Sequence, residues 1–191
     1  MSRRKAKSPH LLVITGLSGS GKTHVSRALE DVGWFCVDNL PSVLVPSFAD
    51  LLQGSPELRR SARVVDVRER GFPEAFPAVY RGLRREELVA SLVFLEADDK
   101  TLLQRFSETR RPHPLAGAGP AIAGFRAERE ALRPIRKMAD LIVDTSRFTV
   151  HQLRDYFRER YDVRDEGGGM VVSVLSFGFK YGVPAEADMV F

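Results

Sequence analysis

The chain has 191 residues, 43% of them hydrophobic and 28% charged, with a formal net charge of +4 and one cysteine. That length suits one soluble α/β domain with a small appendage. No apolar run approaches the roughly 20 residues needed to cross a bilayer, which excludes a membrane-spanning helix; Cys36 alone excludes an internal disulfide and points to a cytoplasmic location.

Residues 1–10 read as a basic, solvated tail without the apolar core of a secretory signal. Leu11 to Thr15 is a short apolar run of the kind a buried parallel strand needs. Gly16-Leu17-Ser18-Gly19-Ser20-Gly21-Lys22-Thr23 follows and has the form G-x-x-x-x-G-K-T, the P-loop. Its glycines permit backbone angles and close approach that a Cβ would forbid. Its N–H groups can wrap a polyphosphate, Lys22 can reach the outer phosphates, and the Thr23 hydroxyl can ligate Mg²⁺. Val25, Ala28, Leu29 and Val32 then recur at helical spacing, so the loop leads into a helix whose N-terminus favours anions.

A second strand is predicted over 34–38, with Trp34 and Phe35 at core positions and Cys36 as a small buried hydrophobe. Pro41 is placed to open a helix toward Leu52. The third strand is predicted over 62–67 and carries Asp66 after Val64-Val65. Asp66 is the preferred carboxylate for holding Mg²⁺ beside Thr23, and Asp38 is its competitor. A helix from Pro73 toward Glu87, a strand over 91–96 and a helix capped by Asp98 or Asp99 come next; Phe94 is a core position. Residues 107–120 form a loop in which Arg110 and Arg111 precede Pro112-His113-Pro114. Those arginines suit a basic lid that clamps a phosphoryl group in catalysis, the alternative being a solvated charged loop. His24 and His113 read as a surface and a loop residue rather than general bases.

A helix to Met138, a strand over 141–144 and a helix from Val150 to Tyr161 complete the order. Alternating strands and helices predict a three-layer P-loop NTPase fold of the kinase-like kind, with a mainly parallel five-stranded sheet. Its ligand rim would hold Thr15, Asp38, Asp66, Glu96 and Asp144. The nucleotide-binding domain is expected over 11–162, a Gly-rich linker over 163–169, and the opening segment of a truncated C-terminal domain over 170–191.

Several signatures occur together: the P-loop, Cys36-Val37-Asp38-Asn39-Leu40-Pro41, Asp66-Val67-Arg68, Ser107 to Pro114, and Ser176-Phe177-Gly178-Phe179-Lys180-Tyr181-Gly182. As a set they resemble the bacterial RapZ/YvcJ family of nucleotide-binding proteins, which includes an RNase adapter. The resemblance implies ATP and GTP binding with weak hydrolysis of both. It assigns ATP to Gly16–Thr23 and GTP to the element at Asp66-Val67-Arg68-Glu69, where Glu69 replaces the family's asparagine. A carboxylate cannot donate that amide hydrogen bond. The resemblance favours a regulatory NTPase with Lys22, Asp66, Arg110 and Arg111 as its catalytic set. A small-molecule or nucleotide kinase with Asp38 facing the acceptor, and an adapter with a structural nucleotide, are the competing readings. Partners left open are RNA or a protein through the absent C-terminal domain, and a second copy of the chain.

Overall fold

The computed structural model describes residues 9–38, 40–67, 71–83, 88–109, 113–116 and 120–162. The predicted linker and the C-terminal segment over 163–191 lie outside these residues, as do Arg68, Glu69, Arg110 and Arg111.

Five strands form one sheet in the order β2-β3-β1-β4-β5, and every pair is parallel. The strands are β1 (His10–Gly16), β2 (Phe35–Asp38), β3 (Arg60–Val64), β4 (Val89–Glu96) and β5 (Leu141–Asp144). Between and after them lie α1 (Lys22–Asp31), α2 (Val45–Gly54), α3 (Phe72–Leu83), α4 (Asp99–Thr109), α5 (Ala121–Met138) and α6 (Val150–Tyr161). Strand β1 is central and covered on both faces, which is why it reads as an unbroken apolar run. Leu11 and Val13 point into a core shared with α2, α3 and α5. Leu12 and Ile14 point the other way, into a core closed by α1 and α6. Fully burying an aromatic such as Phe125 or Phe157 contributes roughly 1.5–3 kcal/mol.

Local signals explain most element ends. The Asp98 carboxylate accepts the Thr101 N–H (2.7 Å) and caps α4. A capping box opens α6, with Thr149 Oγ1 accepting from Gln152 N and Gln152 Oε1 accepting from Thr149 N. The helix expected from Pro41 starts later: a 3-10 turn at Ser42–Leu44 comes first, and α2 begins at Val45 with Pro46 in its first turn. Strand β3 starts earlier and ends at Val64, so Asp66 lies just past the ladder. His10 belongs to β1 and not to the basic tail.

Two core assignments need correction. Phe35 is 46% exposed, because β2 is the sheet edge and pairs only with β3. Cys36, on the same edge, is half-buried, and its thiol donates to Ser26 O (3.4 Å). Partial burial nevertheless pushes the Cys36 thiol up to about 11. With a starting value of 9.0, that leaves about a hundredfold less thiolate at neutral pH. Iodoacetamide labelling of the folded protein at pH 7.5 should therefore be slower than that of a free cysteine by about that factor, and labelling at the free rate would refute it. Trp34 and Phe94 are buried as expected.

Candidate functional site

The loop between β1 and α1 is built by close approaches on three sides. Gly16 pairs with Leu95 of β4, and Leu17 N donates to Leu95 O (3.0 Å). Gly16 has φ +138°, and a Cβ there would lie 2.0 Å from that carbonyl oxygen. At Gly21, with φ +103°, the chain turns into the first turn of α1 beside Leu153 of α6. Gly19 lies against the Phe106 ring of α4. Sequence and fold thus agree on why small residues stand here.

Lys22 folds back over this loop. Its ammonium donates to Gly16 O (2.8 Å) and Leu17 O (3.0 Å), and lies 3.3 Å from Asp66 Oδ2. Only 8% of its side chain is exposed. Of the two carboxylates weighed for this position, the structure brings Asp66 to Lys22, while Asp38 is exposed at the end of β2. Thr23 is exposed on the first turn of α1. Ser20 Oγ and Thr15 Oγ1 are buried with no hydrogen-bond partner among the described residues. Unpaired buried hydroxyls beside the positive end of a helix suit a polyphosphate.

For Mg²⁺ the available donors are the Thr23 hydroxyl and the Asp66 carboxylate, both hard oxygens. Among the described residues no three His, Cys, Asp or Glu side chains cluster. A magnesium ion at these two residues would be completed by phosphate oxygens and water, which is its usual mode of binding.

Three residues at the site carry no local sequence motif. Arg105 of α4 donates to Gly19 O (3.0 Å), Thr145 Oγ1 (3.0 Å) and Thr145 O (2.8 Å), and Thr145 Oγ1 donates to Ser20 O (3.0 Å). The turn after β5 is thereby tied to the loop. Glu128 of α5 is fully buried; its oxygens accept from Ser18 N (2.9 Å) and Ser18 Oγ (2.8 Å). A signal for Glu128 does exist: it falls on the stripe of Phe125, Leu132 and Ile135, where a carboxylate is out of place. His113, expected in a loop, is there, but buried against Glu128.

The other rim carboxylates are engaged elsewhere. Glu96 pairs with Arg136 (2.7 Å), and Asp144 accepts from Ser146, which holds its carboxyl below the usual range. Burial first, then Arg27, Arg154 and Arg105, hold the His24 imidazole below its ordinary range.

The RapZ-like N-terminal domain family matches residues 10–165. A protein named nucleotide-binding protein from Koribacter versatilis (strain Ellin345) is 50% identical over 189 residues, covering 98% of this chain and 61% of that protein. The chain spans about three fifths of the length of the curated relatives it matches. Among solved structures, shikimate kinase from Acinetobacter baumannii superposes with TM-score 0.53 at 16% identity, over 84% of this chain and 94% of that one. The YorR protein of Bacillus subtilis, in complex with phosphorylated GDP, does so with TM-score 0.56 at 11% identity, over 83% and 99%. At these identities the likenesses are of the fold, a parallel five-stranded sheet flanked by helices.

Proposed function

The chain belongs to the RapZ-like family, and on that premise we propose that it binds ATP or GTP by the polyphosphate in one cradle, Gly16–Thr23, and hydrolyses either slowly with Mg²⁺. The observation that carries this reading is the Lys22–Asp66 contact at 3.3 Å. Asp66 opens the element that family resemblance assigns to GTP, and Lys22 belongs to the loop assigned to ATP. Their contact supports a single site that both nucleotides share.

In this reading the loop N–H groups and the positive start of α1 bind the phosphates. Lys22 exchanges a loop carbonyl or Asp66 for phosphate oxygens, and an anionic phosphate oxygen offers the ammonium a Coulomb attraction that a neutral carbonyl does not. Thr23 and Asp66 hold Mg²⁺, which supplies Lewis-acid charge stabilisation when bound. Arg110 and Arg111 are the proposed clamp on the transferred group; they lie outside the described residues.

The full-length protein should release phosphate from ATP and from GTP without an added acceptor. Unlabelled GTP should displace a fluorescent ATP analogue completely, with an inhibition constant equal to its own dissociation constant. Simultaneous binding of both nucleotides would overturn the shared cradle. Asp38, exposed on the same rim, favours a second reading in which the phosphoryl group goes to an acceptor. That reading predicts a phosphorylated product when candidate acceptors are supplied, and a screen yielding only free phosphate counts against it.

A further inference from the structure

The wall behind the phosphate loop contains a charge that a phosphate-binding loop does not need. Glu128 is fully buried on α5, and its Oε2 accepts from Ser18 N–H while Oε1 accepts from the Ser18 hydroxyl. A third donor reaches the same carboxylate: His113 Nε2 lies 3.1 Å from Oε2. The tautomer follows from the other ring nitrogen. Leu115 N donates to His113 Nδ1 (3.1 Å), so the proton is on Nε2 and the imidazole donates to Glu128. A buried carboxylate with three donors is satisfied, and satisfied buried networks fix one geometry.

Packing shows that the arrangement is built for this imidazole. Gly124, one turn before Glu128 on α5, would place a Cβ 2.3 Å from His113 Nδ1. The absence of a side chain there makes the slot in which the ring lies. Phe125 and Phe106 close the slot, with ring centroids 5.0 and 5.4 Å from that of His113. Phe106 also touches the position of Gly19, so the same cluster backs two consecutive residues of the loop.

We propose that Glu128 and His113 are positioning residues of the phosphate cradle: Glu128 holds the Ser18 corner of the loop in its binding shape, and His113 fixes the Glu128 carboxylate. The proposal rests on the nucleotide reading given above. Neither residue is placed to act as a base, because both side chains are fully enclosed and both carboxylate oxygens are occupied by donors. Their effect passes through Ser18. Without Glu128 the Ser18 N–H and hydroxyl lose their partner, and the loop is free to spend those donors elsewhere.

Glutamine is the discriminating replacement. In Glu128→Gln the amide oxygen can take the place of Oε2 and accept from Ser18 N–H and His113. The amide nitrogen can then donate to Ser18 Oγ. All three bonds survive and only the charge is removed, so Gln should rescue what Ala loses.

The test uses the full-length protein, a fluorescent ATP analogue with Mg²⁺, and thermal melts for each variant. The wild type should bind; failure of the wild type to bind removes the nucleotide reading and this proposal with it. Glu128→Ala and His113→Ala should each bind about tenfold more weakly, the loss expected of a buried hydrogen bond to a charged group. Glu128→Gln should bind within about threefold of wild type. The double variant Glu128→Ala/His113→Ala should lose clearly less than the two single losses combined, because the polar effect of His113 passes through Glu128. Wild-type affinity in a folded Glu128→Ala or His113→Ala protein overturns the proposal while leaving the nucleotide reading intact. So does a Glu128→Gln protein as weak as the alanine variant. If Glu128→Ala does not fold, His113→Ala and Glu128→Gln decide by the same criteria.

Discussion

Lys22→Ala is expected to weaken nucleotide affinity by about a hundredfold or more and to reduce phosphate release to the protein-free blank. The reason lies in how completely the ammonium is committed. Its contacts to Gly16 O, Leu17 O and Asp66 Oδ2 at 2.8, 3.0 and 3.3 Å occupy its three donors. Alanine removes the cation that faces both the loop carbonyls and the carboxylate. The phosphates then meet Asp66 without its counter-charge. Because Lys22 is buried, part of the effect could come from lost packing, and Lys22→Met separates the two. Methionine keeps an apolar stem of similar length without the charge, so it should restore the melting temperature and not the affinity. Binding of Lys22→Met at wild-type strength, followed by the fluorescent analogue, would remove Lys22 from the phosphate site.

Gly16→Ala is expected to lower stability by about 3 kcal/mol or more, a loss readable by urea unfolding. The new methyl carbon would lie 2.0 Å from Leu95 O and 2.6 Å from Leu95 N. Those are backbone atoms of the neighbouring central strand, so no side chain can rotate away. The φ of +138° adds backbone strain. Gly33→Ala is the control. Gly33 also has a positive φ of +88°, but a Cβ there would meet nothing within 4 Å, so the change should cost only about 1–2 kcal/mol. Equal losses at the two positions would show that the clash at Gly16 is not the cause.

The parallel sheet is legible in the sequence because β1 and β4 are buried on both faces and each carries an apolar run, Leu11–Ile14 and Leu92–Leu95. The phosphate loop is legible because its demands are local: glycine where a Cβ would collide, lysine at the helix start, a strand before and a helix after. Phe35 departs from its expected core place because a strand's own pattern does not say whether it is an edge. Arg63 gives no signal for a related reason. It is fully buried in β3, and its Nε donates to Leu40 O (2.9 Å), bracing the chain where it leaves β2. No neighbour in sequence announces that partner. Arg105 and Thr145 reach the loop from 86 and 125 residues away, so only the fold reveals them. Glu128 differs: its place on an apolar stripe marks it as buried, although its partner Ser18 is 110 residues distant.

Trp34 is the chain's one tryptophan and is nearly buried. Its indole N–H donates to Tyr161 O (3.0 Å), and its ring meets those of His10 and Tyr161 edge-on, with centroids 5.1 and 5.7 Å away. Tyr161 ends α6, so the indole is clasped by the last turn of the last described helix. His10 opens β1 and Gly16 closes it, which puts this clasp about 20 Å from the phosphate loop along the strand. Burial, then Arg60, hold the His10 imidazole below its ordinary range, which favours the uncharged ring beside the indole. The molecule therefore carries its own optical gauge: tryptophan emission is expected to report the seating of the α6 C-terminus on the sheet.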